Sequence, residues 1–449
     1  QQGAVRQIAQ MALSNVAILA VNVATGIITA RALGPEGRGV LAAIVVWPQF
    51  LGYMSTLGIP YSLVYNINRS PEEEPRLVGA ALLLGVAMCP VCIALGMLAI
   101  PLFLADLAAE EVRFAQLMML TAPCSLMGVV LLGVVQARQA FGRWNCTHYA
   151  TPLLTLAALC ALLTLGELTP VSAALATLLA QIPMFTANFV WVWRTTRPTL
   201  RGGRRAGAEL MRYGRMAYGV DIVAALSLHL DRVILMRLVT PEALGLYVVA
   251  RSLSQPLQVF QSAVATVLLP KAAARDAAQA AELVGRAGRI STTVTAAAAV
   301  GYILVAPVLF TLLYGRDFLG SVGPFRILVV ELVVTGATWI LVQNFLGGGK
   351  PGAALLSQAG GILAAAVLIP ALVPVLGIPG AALALLVAAV LRLVLIRAIY
   401  PRTIGAPPRM LPGLGEIRGL LASLAPPARA AGRTEDAGRL HADTGRTAP

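Results

Sequence analysis

Long apolar runs are the feature that most constrains how this chain can fold. A helix that crosses a membrane needs about 20 apolar residues at 1.5 Å per residue, and such runs follow one another here, separated by charged or Gly- and Pro-containing breaks. The sequence predicts an all-α integral membrane protein with twelve transmembrane helices. The predicted spans are 9–30, 40–65, 77–104, 114–137, 148–165, 171–192, 216–238, 244–270, 290–314, 322–347, 352–376 and 380–400.

Composition excludes a soluble globular domain. Apolar residues make up 58% of the chain and charged residues only 12%, whereas soluble domains carry about 25% charged residues. The first span contains Asn15 and Asn22 and continues into a charged turn, so we interpret it as a membrane helix and not as a cleaved signal peptide.

Arginine and lysine residues indicate the orientation. They are concentrated in the even-numbered connections between spans, and the positive-inside bias therefore places both termini in the cytoplasm. The formal net charge of +14 then follows from topology, and we expect no nucleic-acid partner. The richest connection carries Arg194, Arg197, Arg201, Arg204, Arg205, Arg212 and Arg215.

A repeated turn indicates an internal duplication. The stretch "RALGPEGRGVLAA", beginning at Arg31, matches "RLVTPEALGLYVV", beginning at Arg237, at an offset of 206 residues. A phosphate-binding loop would need G-x-x-x-x-G-K-[ST] between a strand and a helix, which is absent. At one offset the aligned pairs are Arg31 with Arg237, Pro35 with Pro241, Glu36 with Glu242, Gly39 with Gly245 and Gln49 with Gln255.

This duplication predicts two six-helix bundles around a central cavity. An even number of spans in each half gives both copies the same direction through the membrane, so the repeats are parallel and related by an axis along the membrane normal. We expect a first lobe at 1–195, an Arg-rich cytoplasmic linker at 196–214, a second lobe at 215–400 and a disordered cytoplasmic tail at 401–449.

The order of these motifs resembles a known family. "ITARALGPEGRGVLAA", "LDRVILMRLVTPEALGLYVVARSLSQPLQVF" and "LLYGRDFLGS" are similar to stretches of the bacterial Wzx-type polysaccharide flippases of the multidrug/oligosaccharidyl-lipid/polysaccharide exporter superfamily. The resemblance implies alternating access and movement of a lipid-linked oligosaccharide from the inner to the outer leaflet of the bacterial cytoplasmic membrane. It covers roughly residues 7–400, and the chain departs from the related lipid II flippases, which have two further C-terminal helices.

Charges inside the spans are the candidate functional residues, because each costs on the order of 3 kcal/mol in a membrane. The seventh span carries Asp221, His229, Asp231 and Arg232. Asp221 and Arg232 lie within about 20° of one helical face but about 16 Å apart, so they cannot pair with each other. The offset of 206 aligns Asp221 with Asn15, Arg232 with Gly26 and Arg251 with Val45, which indicates that the charges belong to the second half.

We hypothesise that Arg232 and Arg251 hold the diphosphate of a polyprenyl-linked glycan, because guanidinium groups bind phosphate oxygens bidentately. Asn15, Gln49 and Gln255 are further substrate-binding candidates. The alternatives are ion pairing within the membrane, for instance between Arg232 and Glu331, and snorkelling to the membrane surface. The candidates for coupling to H+ or Na+ are Asp221, Asp231 and Glu331.

Other classes of protein receive less support. The pair Cys89 and Cys92 has redox spacing but lies in an apolar span, where packing is the simpler role. The sequence shows no metal-ligand spacing, nucleotide loop or nucleophile motif, so we predict no cofactor, no metal and no enzyme activity. A cation-coupled multidrug antiporter should carry a carboxylate in the first half, where the first span offers only Asn15 and Asn22. A membrane glycosyltransferase should carry a large soluble loop or paired carboxylates outside the membrane.

Overall fold

A computed structural model describes residues 2–105, 107–258, 261, 264, 268, 277–347 and 350–403, and the side chains of residues 2–16 lie outside this description. Every regular element in the described part is helical. The predicted tail beyond residue 403 and most of the second half of the eighth span lie outside the described residues. The helices are α1 (Gln2–Met54), α2 (Ile59–Arg69), α3 (Glu74–Phe103), α4 (Ala109–Met118), α5 (Ala122–Ala137), α6 (Phe141–Leu165), α7 (Pro170–Leu179), α8 (Ile182–Thr196), α9 (Gly203–Leu238), α10 (Pro241–Ser254), α11 (Ala277–Leu313), α12 (Val322–Gly347), α13 (Pro351–Leu376) and α14 (Ile378–Thr403).

Helix ends agree best with the sequence where a Gly, Pro or charged residue ends an apolar run. Helix α12 has the predicted bounds 322–347, and α13 differs from its predicted span by one residue. Helix α9 instead begins at Gly203, thirteen residues before the predicted span. Most of the predicted linker 196–214 is therefore helical, because backbone hydrogen bonding continues where the side chains become polar.

The second, fourth and sixth predicted spans are interrupted, and a further break separates the first two spans. That break lies at Gly34 in the long helix α1, where φ is 68° and ψ is −178°. The second span is split at residues 55–58, where Leu57 and Gly58 both have positive φ. The fourth span is divided between α4 and α5 by a short 3-10 turn, and the sixth between α7 and α8. Apolar length alone does not report such breaks, because they depend on local backbone angles.

Nine helical stretches of the described residues are long and apolar enough to cross a membrane. One of them, Ala17–Arg69, is 53 residues long and includes the break at Gly34. Helices α9 and α10 are not among the nine, since α9 carries several charges and α10 has only 14 residues. The predicted count of twelve transmembrane helices is therefore not confirmed. The prediction of a helical protein that crosses the membrane several times is confirmed.

The distribution of apolar side chains fits a lipid environment. A continuous core includes Trp47, Tyr247 and Phe310, all almost completely buried. Large aliphatic side chains are at the same time exposed on the outer faces of helices, as at Leu304 (74% exposed) and Val375 (80%). Water would disfavour such surfaces, and lipid accepts them.

The first eight helices meet the last six along a boundary that we call the seam. At one end of the seam the turns at 31–39 and 237–245 lie together, and we call this the turn end. A Cβ on Gly39 would overlap the carbonyl oxygen of Pro241, and a Cβ on Gly245 would overlap that of Pro35. The two contacts are reciprocal between aligned positions, and only glycine permits this approach of the two backbones.

Hydrogen bonds join the two halves at the opposite end of the seam, which we call the loop end. The Tyr218 hydroxyl donates to the carbonyl oxygen of Met54 at 2.6 Å, and the Ser62 hydroxyl donates to that of Leu210 at 2.9 Å. At the turn end, Arg31 donates through Nε to the carbonyl oxygen of Leu313 at 2.8 Å. Polar contacts between the two halves therefore exist at both ends of the seam.

Candidate functional site

Helix α9 brings the predicted charges to the seam. It packs against α1 and α2 of the first half and against α13 of the second half. Asp221, His229 and Asp231 are consequently buried, although each lies in a helix of mixed polarity. The described residues show three separate arrangements of charge along this helix.

Asp221 lies at the loop end and binds the break in the second span. Its Oδ2 accepts hydrogen bonds from the Thr56 hydroxyl at 2.6 Å and from the Gly58 amide at 3.0 Å. Gly58 is the residue before α2 and has φ 73°, a backbone angle that glycine adopts readily. Its amide donates to Asp221 and not to a helical carbonyl. The predicted ion-coupling residue therefore joins the two halves of the protein.

Asp231 belongs to a second arrangement, near the C-terminal end of α9. Its Oδ2 accepts a hydrogen bond from the Tyr247 hydroxyl at 2.7 Å and lies 3.9 Å from Nε of Arg251. Its Oδ1 accepts the backbone amide of Arg232 at 2.9 Å. Both carboxylate oxygens are thus engaged.

Glu331 extends this arrangement into α12. Its Oε2 lies 3.1 Å from Nη1 of Arg251, and its Oε1 lies 3.4 Å from Nη2 of Arg392 and accepts the Thr335 hydroxyl at 2.5 Å. We call Asp231, Arg251, Glu331 and Arg392 the paired network; it holds two carboxylates and two guanidinium groups. Of the alternatives left open by the sequence, ion pairing applies to Arg251, and Glu331 pairs with Arg251 and Arg392 rather than with Arg232.

Arg392 is a member of the paired network that sequence reasoning missed. It lies in the middle of the apolar twelfth span, and its Nη1 donates to Oε1 of Gln358 at 3.1 Å. The twelfth span is apolar apart from Arg392 and Arg397, and arginine inside an apolar span is the signal that could have identified it.

The third arrangement consists of cations without carboxylates. Nε of Arg38 and Nε of Arg232 are buried, and neither atom has a hydrogen-bond partner in the described part of the chain. The buried hydroxyl of Tyr314 is also unpartnered. Arg38 lies within electrostatic range of both Arg232 and Tyr314. We call these three residues the unpaired cluster.

The remaining predicted substrate residues show no contact, in the part of the chain that the structure describes, that would indicate a role in binding. Gln49 and Gln255 are half-buried, and neither side chain forms a hydrogen bond with another described residue. The Asn15 side chain lies outside the described residues. Within the described chain there is no group of three His, Cys, Asp or Glu residues that could hold a metal ion. Cys89 and Cys92 are free thiols in α3.

Comparison with known proteins places this geometry in a family. Residues 28–323 match the family described as "Polysaccharide biosynthesis protein". No curated protein sequence matches the chain.

Solved structures share the fold at low sequence identity. The lipid II flippase MurJ in an inward closed conformation is 14% identical with a TM-score of 0.71, and the match covers 86% of each chain. An inward-facing multidrug resistance MATE family transporter of the MOP superfamily is 18% identical with a TM-score of 0.68, covering 87% of this chain and 98% of that one. A MOP superfamily transporter from Pyrococcus furiosus, whose title reports reverse polarity of the binding pocket, is 17% identical with a TM-score of 0.59, covering 89% and 95%.

The family match spans more than half of the chain, and the structural matches cover most of it. They agree with the family resemblance carried by the motifs of the two repeated turns. The protein is a multi-pass helical membrane protein that shares its fold with these transporters, and the chain belongs to the polysaccharide biosynthesis protein family.

Proposed function

We propose that this protein flips a lipid-linked oligosaccharide, a polyprenyl-diphosphate glycan, from the inner to the outer leaflet of the bacterial cytoplasmic membrane by alternating access. The family supports a role in polysaccharide biosynthesis. Contacts between the halves at both ends of the seam support a closed intermediate between inward- and outward-facing states.

The observation that carries this proposal is the excess of guanidinium groups over carboxylates around helix α9. Four guanidinium groups lie on α9 or near it, against three carboxylates, those of Asp221, Asp231 and Glu331. An excess of fixed positive charge in a region of low dielectric favours an anionic cargo. The diphosphate of a lipid-linked glycan has this chemistry. The four cations are Arg38, Arg232, Arg251 and Arg392.

The second candidate function is a cation-coupled multidrug antiporter. The likeness to MATE transporters supports it at the level of the fold. A cationic drug would however meet two cations that lack carboxylate partners among the described residues, at Arg38 and Arg232. These two cations therefore favour the glycan carrier over a carrier of cationic drugs.

We further propose that residues 1–195 and 215–400 form two lobes related by an axis along the membrane normal. The reciprocal contacts of Gly39 with Pro241 and of Gly245 with Pro35 support this arrangement, because two-fold symmetry makes each contact occur twice. Both termini then face the cytoplasm. A cysteine label in the tail and one beside Glu167 should be accessible from opposite sides of the membrane, and accessibility from the same side would contradict this topology.

A reconstitution experiment tests the function. Purified protein in lipid vesicles should move a fluorescent polyprenyl-diphosphate saccharide between leaflets, as measured by the fraction protected from a membrane-impermeant quencher. The matched control cargo is the same saccharide on an uncharged polyprenyl ether, which should not move faster than in vesicles without protein. Efflux of a cationic dye driven by a Na+ or H+ gradient, with no movement of the diphosphate lipid, would instead establish the antiporter.

A further inference from the structure

The unpaired cluster has polar atoms that the protein itself leaves unused. Nε of Arg38, Nε of Arg232 and the Tyr314 hydroxyl are all buried and unpartnered within the described residues. Buried polar groups are almost always hydrogen-bonded, and an unmatched buried group costs free energy. Three such groups, with Arg232 and Tyr314 each within electrostatic range of Arg38, therefore require an explanation.

The fold holds these residues together at the turn end of the seam. Arg38 directly precedes Gly39, whose backbone is in close contact with the turn that follows α9. Arg232 lies six residues, about 9 Å, before the end of α9. Tyr314 follows the last residue of α11, and its hydroxyl would lie 3.9 Å from a Cβ on Gly26 in α1. The cluster thus joins both halves of the protein.

The neighbouring carboxylates are already occupied. Asp231 adjoins Arg232 in sequence, but its oxygens accept from the Arg232 amide and from Tyr247 and lie beside Arg251. Glu331 binds Arg251 and Arg392. Two like charges at a partly buried site repel each other, so an anion from outside the chain would stabilise both.

We propose that Arg38, Arg232 and Tyr314 form an oxyanion site for a phosphate or diphosphate group. The two arginines are half-buried, and neither guanidinium group forms a hydrogen bond within the described residues. Two guanidinium groups can bind two phosphate oxygens bidentately, and a tyrosine hydroxyl donates a third hydrogen bond. The assignment of this group to a lipid-linked glycan rests on the proposed function, whereas the chemistry of the site does not.

The internal repeat makes the site single. The offset of 206 aligns Arg232 with Gly26 and Arg38 with Leu244. Neither arginine is therefore repeated at the aligned position, and the duplication does not produce a second copy of the cluster. A Cβ on Gly26 would also lie 3.8 Å from Oγ of Ser252. The glycine therefore leaves room between the hydroxyls of Ser252 and Tyr314, where the aligned residue of the other half is an arginine. One phosphate-bearing cargo would be held at a time.

Binding to the full-length protein in detergent tests the site. The probes are polyprenyl diphosphate and inorganic diphosphate, with the dissociation constant measured by microscale thermophoresis. Arg38→Gln and Arg232→Gln should each weaken binding of the probe about 10- to 100-fold, because a charge-assisted bidentate contact is lost. Arg38→Lys should recover part of that loss, since lysine keeps the charge without the planar fork. A monodisperse elution profile and an unchanged melting temperature establish that the variants are folded.

The matched control is Arg316→Gln. Arg316 is an exposed arginine two residues from Tyr314, so this variant removes the same charge at the same end of the seam. Its affinity should match that of the unmodified protein. An equal loss in Arg316→Gln, or unchanged affinity in both Arg38→Gln and Arg232→Gln, would overturn the proposal.

The two probes separate the sources of the phosphate group. Competition by inorganic diphosphate supports a site that recognises the phosphates alone, and binding of only polyprenyl diphosphate supports one that also needs the lipid.

The experiments distinguish failure of this inference from failure of the proposed function. If Arg38→Gln and Arg232→Gln both flip the glycan lipid and bind the probe normally, the function stands and the site is wrong. If the protein binds diphosphate through these residues but moves no glycan lipid, the site stands and the function is wrong.

Discussion

The paired network and the unpaired cluster meet on helix α9, where each has one member, yet their charges are neutralised to very different extents. In the paired network each guanidinium lies within 4.0 Å of a carboxylate on another helix. In the unpaired cluster two guanidinium groups lie within electrostatic range of each other without such a partner in the described chain. The border between them falls between Asp231 and Arg232, two consecutive residues.

This difference indicates a division of roles. Charges that serve folding are neutralised inside the protein, because an uncompensated charge in a low dielectric destabilises the folded state. Charges that serve binding have to remain available to the ligand at some cost in stability. We therefore expect substitutions in the two regions to change the free energy of unfolding very differently.

The largest effect should follow from Glu331→Gln in the paired network. Glu331 has contacts with both Arg251 and Arg392, so the substitution leaves the half-buried Arg392 without a carboxylate among the described residues and leaves Arg251 only the longer contact with Asp231. We expect a loss of about 3–5 kcal/mol in the free energy of unfolding, measured by denaturant titration in detergent. Glu167→Gln, at an exposed carboxylate, is the control and should change stability by less than about 0.5 kcal/mol. A comparable loss in both variants would contradict the network.

A double-mutant cycle should sharpen the assignment of the pair. Arg251→Gln and Glu331→Gln remove the two partners of the 3.1 Å contact. The double variant should be more stable than the sum of the single losses predicts, with a coupling of about 2 kcal/mol, because no unpaired charge remains at that contact. Additive losses would show that the two side chains act independently, and Arg251 would then be free for cargo.

A smaller effect is expected from Tyr247→Phe. The Tyr247 hydroxyl donates to the buried carboxylate of Asp231, and phenylalanine removes only this hydrogen bond. We predict a loss of about 1.5–2 kcal/mol, since hydrogen bonds to charged groups are worth more than neutral ones. Tyr302→Phe, which removes a bond to the backbone carbonyl of Leu253, should lose about 1 kcal/mol. Equal losses would argue against a charged Asp231.

The smallest effect, of the opposite sign, should follow from Arg232→Gln in the unpaired cluster. Without ligand, this change removes repulsion from Arg38 and breaks no ion pair within the described residues. We expect stability to stay constant or to rise by up to about 0.5 kcal/mol. Thermal unfolding in detergent without added phosphate measures this change. A loss above about 2 kcal/mol would place Arg232 in the structural network and remove the contrast.

Much of the architecture could be predicted from the order of residues. Apolar runs require a membrane and helices, because a lipid environment leaves backbone groups no other partners. The turn motifs at Arg31 and Arg237 predicted an internal duplication, and the structure brings the aligned residues Gly39 and Gly245 together. The charges of α9 were identified as candidates because charge is costly in lipid.

The sequence could not assign partners to these charges. Arg251 and Glu331 are 80 residues apart, and Glu331 and Arg392 are 61 apart. Helical periodicity orients a side chain on its own helix but does not specify the neighbouring helix that it meets. The sequence therefore left both a phosphate-binding role and ion pairing open for Arg232 and Arg251, and the structure pairs Arg251 with carboxylates.

Sequence alone thus determined the kind of protein: helical, membrane-spanning, with a repeated turn and charges in its second half. Only the tertiary structure decided which of those charges are neutralised, where the predicted spans are broken, and that Arg38 and Tyr314 join Arg232. The physical reason is range. Burial in lipid and helix formation act on stretches of about 20 residues, whereas electrostatic pairing acts over a few ångströms between residues that only packing brings together.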